Sequence, residues 1–216
     1  MTIKSEQTRQ KVADIALRMF REIGFEKTTM RAIATEAGIS VGNAYYYFAS
    51  KDELVQELYG RIQADHATRA TVALQQHTDL GPRLKATLHS GLDAMAPYHR
   101  FGADFITTAI RPASSVSPFS PGSRAARRSA VAIFESTVAG TSVPKKLRAD
   151  LPEMLWLAYL GITLFWVHDT SAGQRRTRAL VDGAAPLIAR GLSLARLPGV
   201  GKIIDDVLAL SRSVRH

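Results

Sequence analysis

Between Thr28 and Leu58 the chain reads TTMRAIATEAGISVGNAYYYFASKDELVQEL. Met30, Ile33, Ala34 and Ala37 recur at i, i+3, i+4 and i+7, which makes one apolar face of a short helix. Gly38 follows at once, at the position where a chain leaving a helix takes a left-handed residue. Ser40 has the side chain to cap a second short helix running to about Tyr47. Two short helices around a glycine turn make a helix-turn-helix unit, and the second helix of such a unit enters the DNA major groove. Ser50 and Glu53 then have the spacing of a capping box, so a longer helix starts there and runs to about Gln76.

The rest of the chain reads as helix as well, and no strand pattern competes. A first helix is expected over 6–23, with Val12, Ile15, Ala16, Met19, Phe20 and Ile23 as its core stripe. Gly24 ends it, and Phe25 can fold back on its last turn. Beyond His77, a turn around Asp79, Gly81 and Pro82 leads to a helix ending near Ala96. Further helices are expected over 98–110, 124–138, 152–169 and 174–195, with a tail helix over 202–212. Pro186 interrupts the helix over 174–195 and is expected to kink it. RPASSVSPFSPGS, residues 111–123, is the clearest loop. The expected fold class is all-α, with a reader over 1–51 and a larger helical domain over 52–216. Nothing between Lys51 and Gln76 looks like a flexible linker, so the helix there can act as a lever.

Composition narrows the function classes. The chain has 216 residues, enough to bury a sizeable core, and no cysteine, so no disulfide framework or thiolate metal site is possible. A net charge of +9 favours a polyanionic partner. The charge is diffuse: residues 1–51 carry eight Lys/Arg against five Asp/Glu, and the remainder carries 20 against 14. The start MTIKSEQTRQ has no apolar core, so no secretory signal is expected and a cytoplasmic location is. The longest apolar run, MLWLAYLGITLFWV over 154–167, is shorter than the roughly 20 residues a membrane span needs, so it reads as a buried helix. No GxSxG elbow, phosphate-binding glycine loop, HExxH or paired-acid motif occurs, and the six histidines lack metal-ligand spacing. No enzyme, cofactor or metal is expected.

The run GISVGNAYYYFASKDEL, residues 38–54, resembles the recognition segment of the tetracycline-repressor (TetR) family. Tyr45, Tyr46, Phe48, Ser50, Lys51, Asp52 and Leu54 match its aromatic run and the serine-lysine-acid that follows. Asn43 stands where serine or threonine is usual, Ala44 where a larger aliphatic is usual, and Tyr47 where histidine is common. The resemblance covers residues 8–58. It implies a DNA-binding head, a ligand-sensing and dimerisation domain from about residue 52, and phosphate contacts from Tyr45 and Tyr47. It also implies that Arg31 reaches a phosphate or a base.

Val41, Gly42 and Asn43 occupy the start of the recognition helix, which lies deepest in the groove. The Asn43 amide can pair bidentately with adenine, whereas Gly42 only permits close approach. Tyr46 lies nearer the groove wall. Lys51, in the first turn of its helix, is badly placed for the helix dipole, and a phosphate would compensate it. Thr28 or Thr29 caps the helix that begins at Met30, and nearby amides could hold another phosphate. The expected DNA-facing set is therefore Thr28, Thr29, Arg31, Ser40, Val41, Gly42, Asn43, Tyr45, Tyr46, Tyr47 and Lys51, on double-stranded DNA.

The helix over 152–169 is apolar on nearly every side. With the helix after Gln174 it is the expected homodimer surface, and the alternative is a central core helix. A dimer would read an inverted-repeat operator. A ligand pocket is implied by the resemblance, with Met95, Tyr98, Phe101, Phe105, Thr108, Trp156, Phe165, Trp166 and His168 as its candidates and an apolar or aromatic small molecule as the expected ligand. His89 and His99 could also orient that ligand. The reading is a dimeric, ligand-responsive transcriptional regulator, with a repressor favoured. The alternatives are a small-molecule carrier, an enzyme using the helical pocket, and an architectural DNA binder of low specificity.

Overall fold

The computed structural model of the chain describes residues 3–111, 113–194 and the single positions 206, 209 and 213. The described residues are helical with no strand. The helices are α1 (Ile3–Ile23), α2 (Met30–Ala37), α3 (Val41–Tyr47), α4 (Lys51–Leu74), α5 (Leu80–Met95), α6 (His99–Ala109), α7 (Arg124–Val138), α8 (Leu151–His168) and α9 (Arg175–Leu194). Short 3-10 turns stand at Ala96–Tyr98, Lys145–Leu147 and Ala172–Gln174. The expected tail helix lies outside the described residues, apart from 206 and 209. The start of α5 departs from expectation: Gly81 and Pro82 sit in its first turn, not before it. Proline is tolerated there because a first-turn amide has no intrahelical partner.

Packing divides the chain into two compact units, residues 1–62 with 95–127, and residues 63–94 with 128–216. This division differs from the boundary expected at residue 51, because α6 and the loop after it pack with the N-terminal helices. In the first unit, Val12, Ala16, Phe20, Ile33, Ala34, Ala44, Phe48, Leu54 and Val55 form one core with Phe105, Ala109 and Val116. Gly24, at φ 86°, turns the chain so that Phe25 folds back onto Phe20, with ring centroids 5.4 Å apart. Phe25 fills that end of the core, and Ile23 is left exposed. The 111–123 segment is a loop, as its prolines and serines imply, but it is tied down. Tyr59 donates to the Val116 carbonyl at 2.8 Å, and Gln56 Nε2 donates to the Ser115 carbonyl and to Ser123 Oγ, each at 3.2 Å.

In the second unit, α8 buries Leu155, Trp156, Tyr159, Ile162 and Trp166. By length and composition α8 could cross a membrane, yet this stripe is seated in the unit's core. Arg83 gathers the terminal carbonyls of two helices, Ser136 and Thr137 near the end of α7 and Leu74 and His77 at the end of α4. Asp169 joins α8 to α9. Its carboxylate accepts from the backbone and hydroxyl of both Ser171 and Thr177. Burial pushes this carboxyl up, and the four hydrogen bonds outweigh that and hold it well below the usual carboxylate range.

Candidate nucleic-acid interface

The two short helices are capped as their sequence requires. Thr29, with extended backbone, accepts the Ala32 amide on its hydroxyl at 3.1 Å and so settles which threonine caps α2. Gly38 closes α2 at φ 69°, and the Ile39 amide reaches back to the Ala34 carbonyl at 3.0 Å. Ser40 caps α3 by accepting the Asn43 amide at 3.1 Å. Ser50 accepts the Glu53 amide at 3.3 Å, and the Glu53 carboxylate takes the Ala49 amide at 2.8 Å. The joint between α3 and α4 is therefore held from both sides.

A seven-residue helix with Ala44 and Phe48 buried must turn its other side outward. Val41, Gly42, Asn43, Tyr45 and Tyr46 are exposed, Tyr46 by 70%. The Asn43 side-chain amide makes no hydrogen bond among the described residues, so its donor and acceptor are available together. Tyr47 is half-buried against the core and stacks edge-on to Tyr46, with centroids 5.2 Å apart. Arg31, Thr29 and Ser40 are also exposed. The sequence pattern gives no signal for Lys27, an exposed cation two residues before the α2 cap.

Two members of the expected set are placed otherwise. Thr28 is fully buried, and its hydroxyl donates to the Gly24 carbonyl at 2.7 Å, so its side chain has no surface to offer a phosphate. A threonine next to a cap reads like a cap in sequence, and only the turn geometry separates the two. Lys51 is half-buried, and its Nζ donates to the carbonyls of Phe25 at 2.7 Å and Thr28 at 3.3 Å.

The expected ligand contacts fall in both packing units. In the first, Phe105 is buried with its ring against Phe25 and Tyr59, Met95 is buried, and Tyr98 and Thr108 are half-buried. The Phe101 side chain lies outside the described residues. In the second, Trp156 and Trp166 are buried, whereas Phe165 and His168 lie on the exposed side of α8. At about 100° per residue, the buried stripe of 155, 156, 159, 162 and 166 is centred on the side of 162 away from 165 and 168, which leaves those two outside it. Sequence reasoning missed His66, which is fully buried on α4. Its Nε2 donates to the Thr87 carbonyl at 2.9 Å, and its ring lies 5.6 Å from that of Tyr159. Burial lowers its pKa, so the ring is neutral and Nδ1 is an acceptor. That atom and Gln63 Oε1 are buried without a hydrogen-bond partner.

Two family models match the chain. "Bacterial regulatory proteins, tetR family" covers residues 13–58, and "Tetracyclin repressor-like, C-terminal domain" covers 83–210, more than half of the chain. The transcriptional repressor KstR2 of Rhodococcus jostii is 44% identical over 91 residues, 42% of this chain and 45% of that protein. The chain spans about a quarter of the length of other curated relatives it matches, such as KstR2 of Mycobacterium tuberculosis. Among solved structures, a tetR-family regulator from Streptomyces coelicolor aligns with a TM-score of 0.60 at 23% identity, covering 98% of this chain and 100% of that one. Thermus thermophilus FadR, solved with lauroyl-CoA, aligns with a TM-score of 0.62 at 17% identity, covering 88% and 97%. At such identities the structural likeness concerns the fold alone.

Proposed function

Since the chain belongs to the tetR family of bacterial regulatory proteins, we propose that it is a sequence-specific DNA-binding transcriptional regulator, a repressor released from an inverted-repeat operator by a small-molecule ligand. The observation that carries this reading is α3. It is capped by Ser40, anchored by Ala44 and Phe48, and presents an unpaired amide at Asn43 beside Tyr45 and Tyr46. Asn43 reads a base edge, while the tyrosine hydroxyls, Arg31 and the amides at the Thr29 cap hold phosphates. Lys27 adds a phosphate contact of its own.

Residues 1–51 serve as the reader, and residues 52–216 serve sensing and dimerisation, in the cytoplasm. Leu157, Leu164 and Phe165 on α8, with Leu180 and Leu187 on α9, leave an apolar surface exposed on the isolated chain. A second copy covers it as a four-helix bundle. The ligand is largely apolar or aromatic, because the buried candidates of the second unit are Trp156 and Trp166. His66 supplies the polar handle that orients it.

An architectural binder is the competing class, and relative affinity separates the two. At physiological salt, a duplex recovered from a random-sequence pool should bind about 10³-fold or more tighter than an arbitrary duplex of equal length. A ratio near one would favour the architectural class.

A further inference from the structure

We propose that the second unit binds an apolar molecule bearing a neutral hydroxyl, an alcohol or a phenol, whose hydroxyl donates to Nδ1 of His66 on α4. The proposal rests on the ligand-responsive reading and names the chemistry of its ligand. A backbone carbonyl only accepts, so the 2.9 Å bond from Nε2 to the Thr87 carbonyl fixes the ring proton on Nε2 and leaves Nδ1 as an acceptor. The Thr87 hydroxyl is itself bonded to that of Thr137 at 2.8 Å, which holds α5 to α7 beneath the ring. His66 has no exposed surface, and among the described residues nothing donates to Nδ1. Gln63 Oε1, one turn earlier on the same side of α4, is a second buried acceptor without a donor. Buried polar atoms are nearly always paired, and an unpaired one costs free energy. Two acceptors within one turn therefore call for a donor that the described residues do not supply.

The surroundings select the rest of the molecule. The His66 ring lies 5.6 Å from that of Tyr159, which lies 5.8 Å from that of Phe134, so the acceptor is set among aromatic faces. Gly91 stands inside α5, where glycine is unfavourable. A Cβ there would overlap the Tyr159 hydroxyl and come within 2.9 Å of His66 Cε1, the atom bonded to Nδ1. The glycine keeps α5 clear of the ring edge that carries the acceptor. An anionic head is disfavoured, because it brings no proton to either acceptor and its burial is unpaid by a cation. The charged group that acts on His66 is Asp65, which repels an anion further. A carbonyl or ether oxygen would add a third acceptor and leave the first two unpaired.

The test measures binding to the full chain, without DNA, of two matched sets of probes: naphthol, methoxynaphthalene and naphthoate, and octanol, methyl octyl ether and octanoate. In at least one set the alcohol should bind about tenfold or more tighter than its ether and its carboxylate, as one added hydrogen bond allows. His66→Phe should bring alcohol and ether to within about twofold of each other, chiefly by weakening the alcohol. Nitrogen NMR of the wild type should show the His66 Nδ1 resonance moving to lower frequency as the alcohol binds, as an acceptor nitrogen does on taking a hydrogen bond. The wild-type comparison and this resonance decide the matter even if His66→Phe does not fold. Alcohol and ether bound alike would leave the two acceptors to a buried water only. That result, a carboxylate bound tighter than the alcohol, no binding in either set, or an unmoved resonance would each overturn the proposal. A bound alcohol that leaves a duplex recovered from a random-sequence pool in place would sustain the site and sink ligand release. A carboxylate that releases the duplex while the alcohol does not bind would sustain ligand release and sink the site.

Discussion

Asn43 stands one position before Ala44, whose burial fixes the rotation of α3 about its own axis. The amide therefore points away from the core, whatever DNA is offered. Asn43→Ala should cost about 1–3 kcal/mol on the preferred site and relax preference at one position per half-site. A loss of equal size on every sequence would make Asn43 a backbone contact. Asp169 gives a second expectation. Its folded-state pKa is depressed, so its stabilisation is complete above the ordinary carboxylate value and is lost as pH falls through the folded value. Asp169→Asn should melt below wild type at pH 7, with a gap that narrows as pH drops below about 4. A gap independent of pH would contradict this. The caps at Ser40, Gly38 and Ser50 were legible in the sequence because each depends on residues within four positions. Thr28 and Lys51 were not. Whether a threonine faces in or out, and whether an ammonium meets a carbonyl 26 positions away, depends on how the turn after Gly24 brings distant backbone together.

At the scale of elements, α8 carries the most consequence. Leu157, Gly161, Leu164 and His168 form its exposed stripe, while Leu155, Tyr159, Ile162 and Trp166 form the buried one. Because Leu164 is exposed in the isolated chain, Leu164→Glu should leave the monomer's helicity intact and convert a dimer to monomers in sedimentation, with tight operator binding lost in parallel. A wild type that sediments as a monomer, or a Leu164→Glu variant that still dimerises, would move the interface elsewhere. Helical periodicity gave the extents of α7, α8 and α9 to within about two residues, the usual margin for helix ends. It did not give their partners. Residues 98–110 and the loop after them read as part of the C-terminal domain. Phe105 and Val116 instead complete the core around Phe20 and Leu54, a contact between apolar surfaces that no local pattern encodes.

At the scale of the whole molecule, 28 Lys/Arg against 19 Asp/Glu give a chain that is attracted to DNA throughout, and α3 is the element proposed to discriminate among sequences. The proposed ligand acts on this balance by preferring a separation of two heads that misfits the operator. Linkage then requires DNA to weaken that ligand by the same factor by which the ligand weakens DNA. Selection of bound fragments from a random-sequence DNA pool tests this account most directly. It predicts a two-fold symmetric consensus, with half-sites on one face of the duplex about 34–36 Å apart or a multiple of that. Recovery of a single isolated half-site, or of no consensus at all, would contradict it.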